Sequence, residues 1–474
     1  MPVLNRSIPA VRSTASGGCD LPEGCHSPGT EKPTKLTAAA PSAGLSLLFI
    51  VLYSGCNWIT AHRAGVGTWY YGFERHIPFV PWMIVPYMSI DLFFVAAPFL
   101  CRSRVELDTL TRRLGFAIIM ACFCFLLIPL RLAIPYPQTD GWPSAIFRLL
   151  RGFDQPHNLF PSLHITLCAV LANFYVAHTR GLLRAVWYLW FSLIFVSTLL
   201  THQHHAADVV GGIVLAVFCF YFFRQTPVRS PLIPDYRIGA YYGAGSLVCL
   251  VLTTLVWPRT AALLWPAISL GITAAGYWGI GPGIYRKNEG RIPLSARLLL
   301  APSLAGQFLS LAYYRRECQP WNQVTPQVWI GSRLNRREAH EARREGVTAV
   351  LDLTAEFSET CEFLGLSYCN LPVLDLTGIP SHQLSRAVEF ISRHSQKGVV
   401  YVHCKVGYSR SSAAVGAYLL ASGQAASIED ALAIQRKARP TIVFRPEVVA
   451  TLQEFCNFQR TAPGAVSGNA MGCD

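Results

Sequence analysis

The stretch VVYVHCKVGYSRSS, residues 399–412, reads as a short β-branched strand, a loop, and the entry to a helix, SAAVGAYLLA, that begins at Ser412. Its centre is a cysteine, five residues, then an arginine. A loop that enters a helix points backbone N–H groups inward and makes an anion cradle. The same dipoles favour thiolate over thiol, so Cys404 is the candidate nucleophile. Arg410 can grip two phosphate oxygens at once. The intervening Lys405, Val406, Gly407, Tyr408 and Ser409, with Ser411 behind them, are the candidate phosphate-binding residues. Gly407 permits the tight turn, and Ser411 can hydrogen-bond the sulfur and help it leave. The departing alkoxide needs a proton donor. Asp375, in LPVLDLTGIPS 29 residues upstream, is the candidate, with Asp352 and Glu356 as alternatives.

Outward from this loop the chain divides. It has 474 residues, 52% hydrophobic and only 14% charged, which points to an integral membrane protein. Charges become frequent only from about residue 316. Apolar runs near 43–62, 80–101, 114–134, 160–178, 184–201, 207–224, 238–257 and 260–281 are long enough to span a bilayer. The run 294–313 carries Arg297 and Pro302 and reads as interfacial. Residues 1–42 read as a disordered tail, 43–225 as a six-helix membrane domain, and 226–315 as additional transmembrane or interfacial helices. Residues 316–461 read as an α/β domain and 462–474 as a flexible tail. The expected fold is therefore an all-α polytopic membrane bundle followed by an α/β cysteine-dependent phosphatase domain.

The net charge is +13. Its arginines and lysines cluster in turns that all fall on the N-terminal side of the membrane, which should be cytoplasmic. With eight spans the phosphatase domain is cytoplasmic too; a ninth span at 294–313 would reverse this. No basic stripe with interleaved aromatics points to nucleic acid. The 15 cysteines show no paired CxxC set, and neither chemistry expected here calls for a metal or cofactor. Asp91, inside the second run, is a costly carboxylate expected to face a partner.

Two polar clusters interrupt the apolar pattern, HNLFPSLHITL (157–167) and STLLTHQHHAADVVGG (197–212). Between His164 and His204 the chain turns at HTRG, giving two arms of roughly 25–30 Å of helix each. Both histidines should meet at the outer edge of the membrane. One imidazole can attack phosphorus while another protonates the leaving oxygen. Asp208, one helical turn after His204, can orient it. Arg131, Arg148 and Arg151 are the candidate phosphate ligands there. For a single histidine, capping of a helix end at the interface is the alternative.

These clusters resemble the type 2 phosphatidic acid phosphatase superfamily over about 43–225. PSLH, Ser197, His204 and Asp208 match its motifs, and NLFPSLH with ERHIPFVPW resembles the branch of inositol phosphorylceramide synthases. The resemblance implies His204 as nucleophile, His164 as acid and Asp208 as orienter. Thr198 stands where the family carries arginine, and its Lys-x6-Arg-Pro is missing. Residues 320–460 resemble a dual-specificity phosphatase domain. HCKVGYSRSS and KARPTIVFRPEVVATLQEF are similar to the branch containing mitochondrial phosphatidylglycerophosphate phosphatase, which implies a lipid phosphomonoester substrate.

The expected function is a membrane-bound phosphatase of phospholipid metabolism in a bacterial inner membrane. It would hold a cytoplasmic Cys404 site and a second, His-dependent lipid phosphatase or phosphotransferase site on the outer face. The partners are membrane lipids and a phosphorylated lipid or phosphoprotein. The alternative is a signalling protein phosphatase anchored by a degenerate lipid-binding bundle.

Overall fold

The first apolar helix starts where the Thr34 hydroxyl accepts the Thr37 N–H, a threonine N-cap. Helix α1 therefore runs Lys35–Ala61 and takes in residues 35–42, expected as tail. The computed structural model describes residues 31–134, 138–153, 156–225, 233–257 and 259–461. The rest of the expected N-terminal tail and the tail 462–474 lie outside the described residues.

The apolar half continues with α2 (Ile84–Ala96), α3 (Arg104–Leu127), α4 (Trp142–Phe153), α5 (Leu163–Ala177), α6 (Gly181–Leu200), α7 (Ala206–Phe222), α8 (Tyr236–Leu255) and α9 (Leu264–Ala275). Among the described residues, six helices are long and apolar enough to cross a membrane: Lys35–Ala61, Pro81–Leu100, Arg104–Leu127, Gly181–Leu200, Tyr236–Leu255 and Ala261–Ile280. Helices α5 and α7 are apolar but shorter. They pack tightly because a Cβ at Gly212 would lie 2.5 Å from the Ser162 carbonyl oxygen, so only glycine lets the backbones approach this closely. Large apolar side chains such as Leu92, Leu182, Leu247 and Leu255 face outward. Asp91, expected to face a partner, is exposed, and no ion pair to it occurs among the described residues.

Segment 294–313 is two helices, α10 (Leu294–Leu299) and α11 (Ala301–Tyr314), parted at Leu300 just before Pro302. Neither is long enough to cross a bilayer. Instead Ala296, Leu299, Leu300 and Leu304 pack in one cluster with Tyr221, Tyr277, Tyr285, Ala355 and Leu374. That cluster joins the apolar half to the α/β domain.

The α/β domain holds a five-stranded sheet: β1 (Trp321–Thr325), β2 (Val328–Gly331), β3 (Val347–Thr354), β4 (Ser367–Val373) and β5 (Val399–His403). Their order is β1-β2-β5-β3-β4, all parallel except β1. The β-branched VVYVH run forms β5, buried from Val400 onward between β2 and β3. Helices α12 (Arg336–Arg344), α13 (Cys361–Leu364), α14 (Ser381–Ser395), α15 (Arg410–Ala421), α16 (Ile428–Ala438) and α17 (Pro446–Thr461) complete it. Residues at the carboxyl end of a central parallel strand face the crevice where such sheets bind ligands. Here those residues are 404–409, between β5 and α15.

Candidate active site

Cys404 leaves β5 and the chain curls back so that Arg410 opens α15. The turn depends on Gly407, whose φ is +83° and whose added Cβ would lie 2.6 Å from the Gly331 carbonyl. The Gly407 N–H approaches Cys404 Sγ at 3.3 Å, and Ser411 Oγ lies 3.4 Å from the same sulfur. Burial pushes the Cys404 thiol up. The Arg410 guanidinium, with the hydrogen bonds from Ser411 and Gly407, more than reverses this and holds it below its ordinary value. The site thus favours the thiolate form of Cys404 more than an ordinary cysteine's surroundings do.

The Arg410 guanidinium is buried and doubly held. Its two terminal nitrogens donate to Glu356 at 3.0 and 2.7 Å, and one also donates to Asp375 Oδ1 at 3.0 Å. Another bond reaches the Val373 carbonyl at 2.7 Å. Glu356, one of the alternative acids, therefore orients the arginine. Asp375 lies on the loop after β4, with its Oδ2 held by the Lys405 ammonium. Burial alone would raise its proton affinity, but Arg410 and Lys405 hold its carboxyl below the usual range. Of the three carboxylates weighed from sequence, Asp375 and Glu356 reach Arg410. Asp352 lies behind the loop, where the Lys287 ammonium bonds it at 2.5 Å.

Within the loop, the Lys405 carbonyl accepts the Arg333 N–H at 3.1 Å. The Val406 carbonyl accepts from Arg439 at 3.0 Å. Tyr408 lies under the Arg439 guanidinium, 5.8 Å from ring centre to carbon. Ser409 is the N-cap residue of α15 and accepts the Ala413 N–H at its carbonyl. Arg333 and Arg439 were not singled out in the sequence; both brace loop carbonyls from far along the chain.

Asp352, Glu359 and His403 form a buried group that by donor type could hold a metal ion. A cation of the chain already serves it. Lys287 also donates to the Thr354 carbonyl and hydroxyl at 2.8 and 3.0 Å. Burial would raise the Asp352 carboxyl, yet Lys287 and His403 bring it down to about 2. A fully served ammonium fits this group better than a metal.

In the apolar half the His164 ring stacks on Tyr87, with ring centres 4.0 Å apart. His204 Nδ1 lies 3.7 Å from Asp208 Oδ2, beyond a hydrogen bond. Asp208 instead accepts the His205 N–H at 2.8 Å. The Ser162 N–H donates to the Asp208 carbonyl at 2.9 Å, tying the two motifs together. Arg131, Arg148 and Arg151 are exposed. Arg151 lies 5.9 Å over the Phe147 ring. Among the described residues no contact joins Arg131 or Arg148 to His204. Thr198 turns its hydroxyl back to the Phe195 carbonyl. A pair the sequence did not single out, Glu74 and His205, meets at 2.7 Å, with the Ala133 N–H donating to the other ring nitrogen at 3.1 Å. His205 therefore carries its proton on Nδ1, toward Glu74.

A cysteine sulfur met by the Gly407 amide and the Ser411 hydroxyl, an arginine held by the Glu356 carboxylate and an aspartate beside it define a cysteine-dependent phosphatase. Residues 328–458 match the family "Dual specificity phosphatase, catalytic domain". The human protein named "Phosphatidylglycerophosphatase and protein-tyrosine phosphatase 1" is 31% identical over 172 residues, 34% of this chain and 85% of that one. The Arabidopsis thaliana "Phosphatidylglycerophosphate phosphatase PTPMT2" is 25% identical over 177 residues, 35% of this chain and 76% of that one. A crystal structure of PTPMT1 is 26% identical and covers 28% of this chain and 92% of that one, with a TM-score of 0.26. The chain belongs to the dual-specificity phosphatases, in the group of phosphatidylglycerophosphatase and protein-tyrosine phosphatases. Its C-terminal domain is a phosphoric monoester hydrolase.

Proposed function

We propose that the Cys404 site hydrolyses a phosphomonoester of a membrane lipid, with a phosphatidylglycerophosphate-type substrate as the first candidate. The supporting observation is where the apolar half meets the site: the Tyr277 hydroxyl, at the end of an apolar helix, donates to the Asp375 carbonyl at 2.9 Å. A pocket flanked by lipid-seeking helices favours a substrate whose phosphate lies at a bilayer surface. Tethering there raises effective concentration without any added contact. The names of the human and Arabidopsis relatives support the same class.

The chemistry runs in two steps. The Cys404 thiolate attacks phosphorus; the S–P bond forms as the P–O bond breaks, and Asp375 gives its proton to the departing alkoxide. A bound phosphate dianion shares Arg410 and, by its charge, raises the proton affinity of Asp375 enough to arm it. Water then attacks the phosphocysteine, Asp375 takes its proton, and Ser411 stabilises the thiolate that leaves. Orthophosphate departs.

We also propose His204, with His164 and Asp208, as a second lipid phosphatase or phosphotransferase site in the outer part of a bilayer-spanning bundle. The joining of PSLH to the Asp208 turn supports it, and a lipid alcohol or water would accept the phosphoryl group. Side-by-side assay of phosphatidylglycerophosphate and a phosphotyrosine peptide tests the lipid preference. Faster turnover of the peptide would favour a signalling phosphatase instead.

A further inference from the structure

One polar side chain in α11 is turned into the phosphatase domain. Gln307 is buried, on a helix otherwise rich in leucine, tyrosine and small residues. Its Oε1 accepts from Lys405 Nζ at 2.9 Å, and its Nε2 donates to the Tyr242 hydroxyl of α8 at 3.1 Å. Lys405 in turn holds Asp375 Oδ2. Arg410 holds Asp375 Oδ1 at 3.0 Å. The chain of contacts Tyr242, Gln307, Lys405, Asp375 therefore begins in the apolar helices and ends on the acid of the reaction.

We propose that Gln307 is a positioning residue for the general acid, so that a helix outside the catalytic domain sets the place of Asp375. The proposal rests on the reading of Asp375 as proton donor. A lysine ammonium on a four-carbon stem is flexible and has three donors to satisfy. Fixed only by Asp375, it would carry that carboxylate through its own range of rotamers. Gln307 supplies a second, rigid acceptor, and Tyr242 fixes the amide in turn. Lys405 then holds Asp375 at one oxygen while Arg410 holds the other. When a phosphate shares Arg410, the grip through Lys405 is what keeps the carboxyl at the leaving oxygen. Burial of Gln307 carries no unmet polar cost because both ends of its amide are bonded.

General acid catalysis matters most where the leaving group is a poor anion, and little where it is a stable one. The full chain in detergent is assayed with p-nitrophenyl phosphate and with alkyl phosphates. The latter are phosphatidylglycerophosphate in mixed micelles and a phosphoserine peptide. For Gln307→Leu, kcat on the better alkyl substrate should fall about 10- to 100-fold, a fraction of a full general-acid contribution. On p-nitrophenyl phosphate the first step, read as the rate of the nitrophenol burst, should change by no more than about threefold, because the acid is barely needed there. Gln307→Glu, which keeps an acceptor for Lys405, should recover most of the alkyl turnover. In an Asp375→Asn background, Gln307→Leu should add no further loss on the alkyl substrate. An equal loss in the first step on p-nitrophenyl phosphate, or an additive loss in the Asp375→Asn background, would overturn the proposal and leave Asp375 as the acid. An alkyl turnover untouched by Asp375→Asn would overturn the acid assignment itself, and this proposal with it.

Discussion

Lys287, from the segment that follows the last long apolar helix, buries its ammonium 2.5 Å from the carboxylate of Asp352 at the end of β3. Both side chains are almost entirely shielded from solvent. Asp352 also accepts from the Tyr368 hydroxyl at 2.7 Å and lies 3.8 Å from His403, the residue before the nucleophile. One cation of the apolar half thus completes a polar cluster directly behind the catalytic loop.

Removing that cation should be expensive. Lys287→Met leaves Asp352 buried and uncompensated, which costs about 3–5 kcal/mol in comparable buried pairs. Thermal unfolding of the full chain should show the phosphatase domain melting markedly earlier. Lys287→Met combined with Asp352→Leu should recover part of the loss, because no orphaned charge remains. An unchanged melting point in the single variant would contradict the account.

The same pair sets a pH dependence. The Asp352 carboxyl is held at about 2 in the fold against an ordinary 3.8. A depressed carboxyl contributes stability that is fully present above its unfolded value and is lost as pH falls through its folded value. The wild-type unfolding midpoint should therefore drop between about pH 4 and pH 2. In the Lys287→Met, Asp352→Leu double variant that drop should be smaller.

Thiol reactivity offers a third test. Because Arg410 and two hydrogen bonds hold the Cys404 thiol low, its alkylation by iodoacetamide should be half-maximal below the pH of an ordinary cysteine. Arg410→Ala removes the positive charge, so the half-maximal pH should move upward. Peptide mass mapping of the modified cysteine against pH reads both shifts directly.

Gly407→Ala should disable the loop. Its φ of +83° strains any L side chain, and the new Cβ would meet the Gly331 carbonyl at 2.6 Å. Backbone strain of about 1–3 kcal/mol is the minimum expected, since the carbonyl belongs to a paired strand. Phosphate affinity and kcat should fall together while the sheet stays folded by circular dichroism.

The catalytic loop was legible because its information is local: strand, cysteine, turn glycine, arginine and helix follow one another within fourteen residues. The apolar helices were legible for the same reason, although α1 starts at Lys35 because a threonine cap, rather than hydropathy, sets its first turn. The junction was not legible. Lys287 lies 65 residues from Asp352, and Gln307 lies 98 from Lys405. Neither pairing has any periodicity to announce it. LSARLLLAPSLAGQF looked interfacial, yet its glutamine was the sign that one face meets something polar. The choice among Asp352, Glu356 and Asp375 likewise needed the fold, since all three lie near strand ends in sequence and only two face Arg410. The two polar clusters are joined where the Ser162 N–H donates to the Asp208 carbonyl, and Arg131, Arg148 and Arg151 are exposed.

The central claim is that the Cys404 sulfur takes the phosphoryl group and Asp375 moves the protons. Asp375→Asn, mixed rapidly with p-nitrophenyl phosphate and quenched in acid, tests this most directly. A stable leaving anion lets the first step proceed without the acid, whereas the second step lacks its base. The account predicts a burst of nitrophenol near one equivalent per chain and a phosphoryl group on the peptide carrying Cys404. Steady turnover with no burst and an unmodified Cys404 would contradict it.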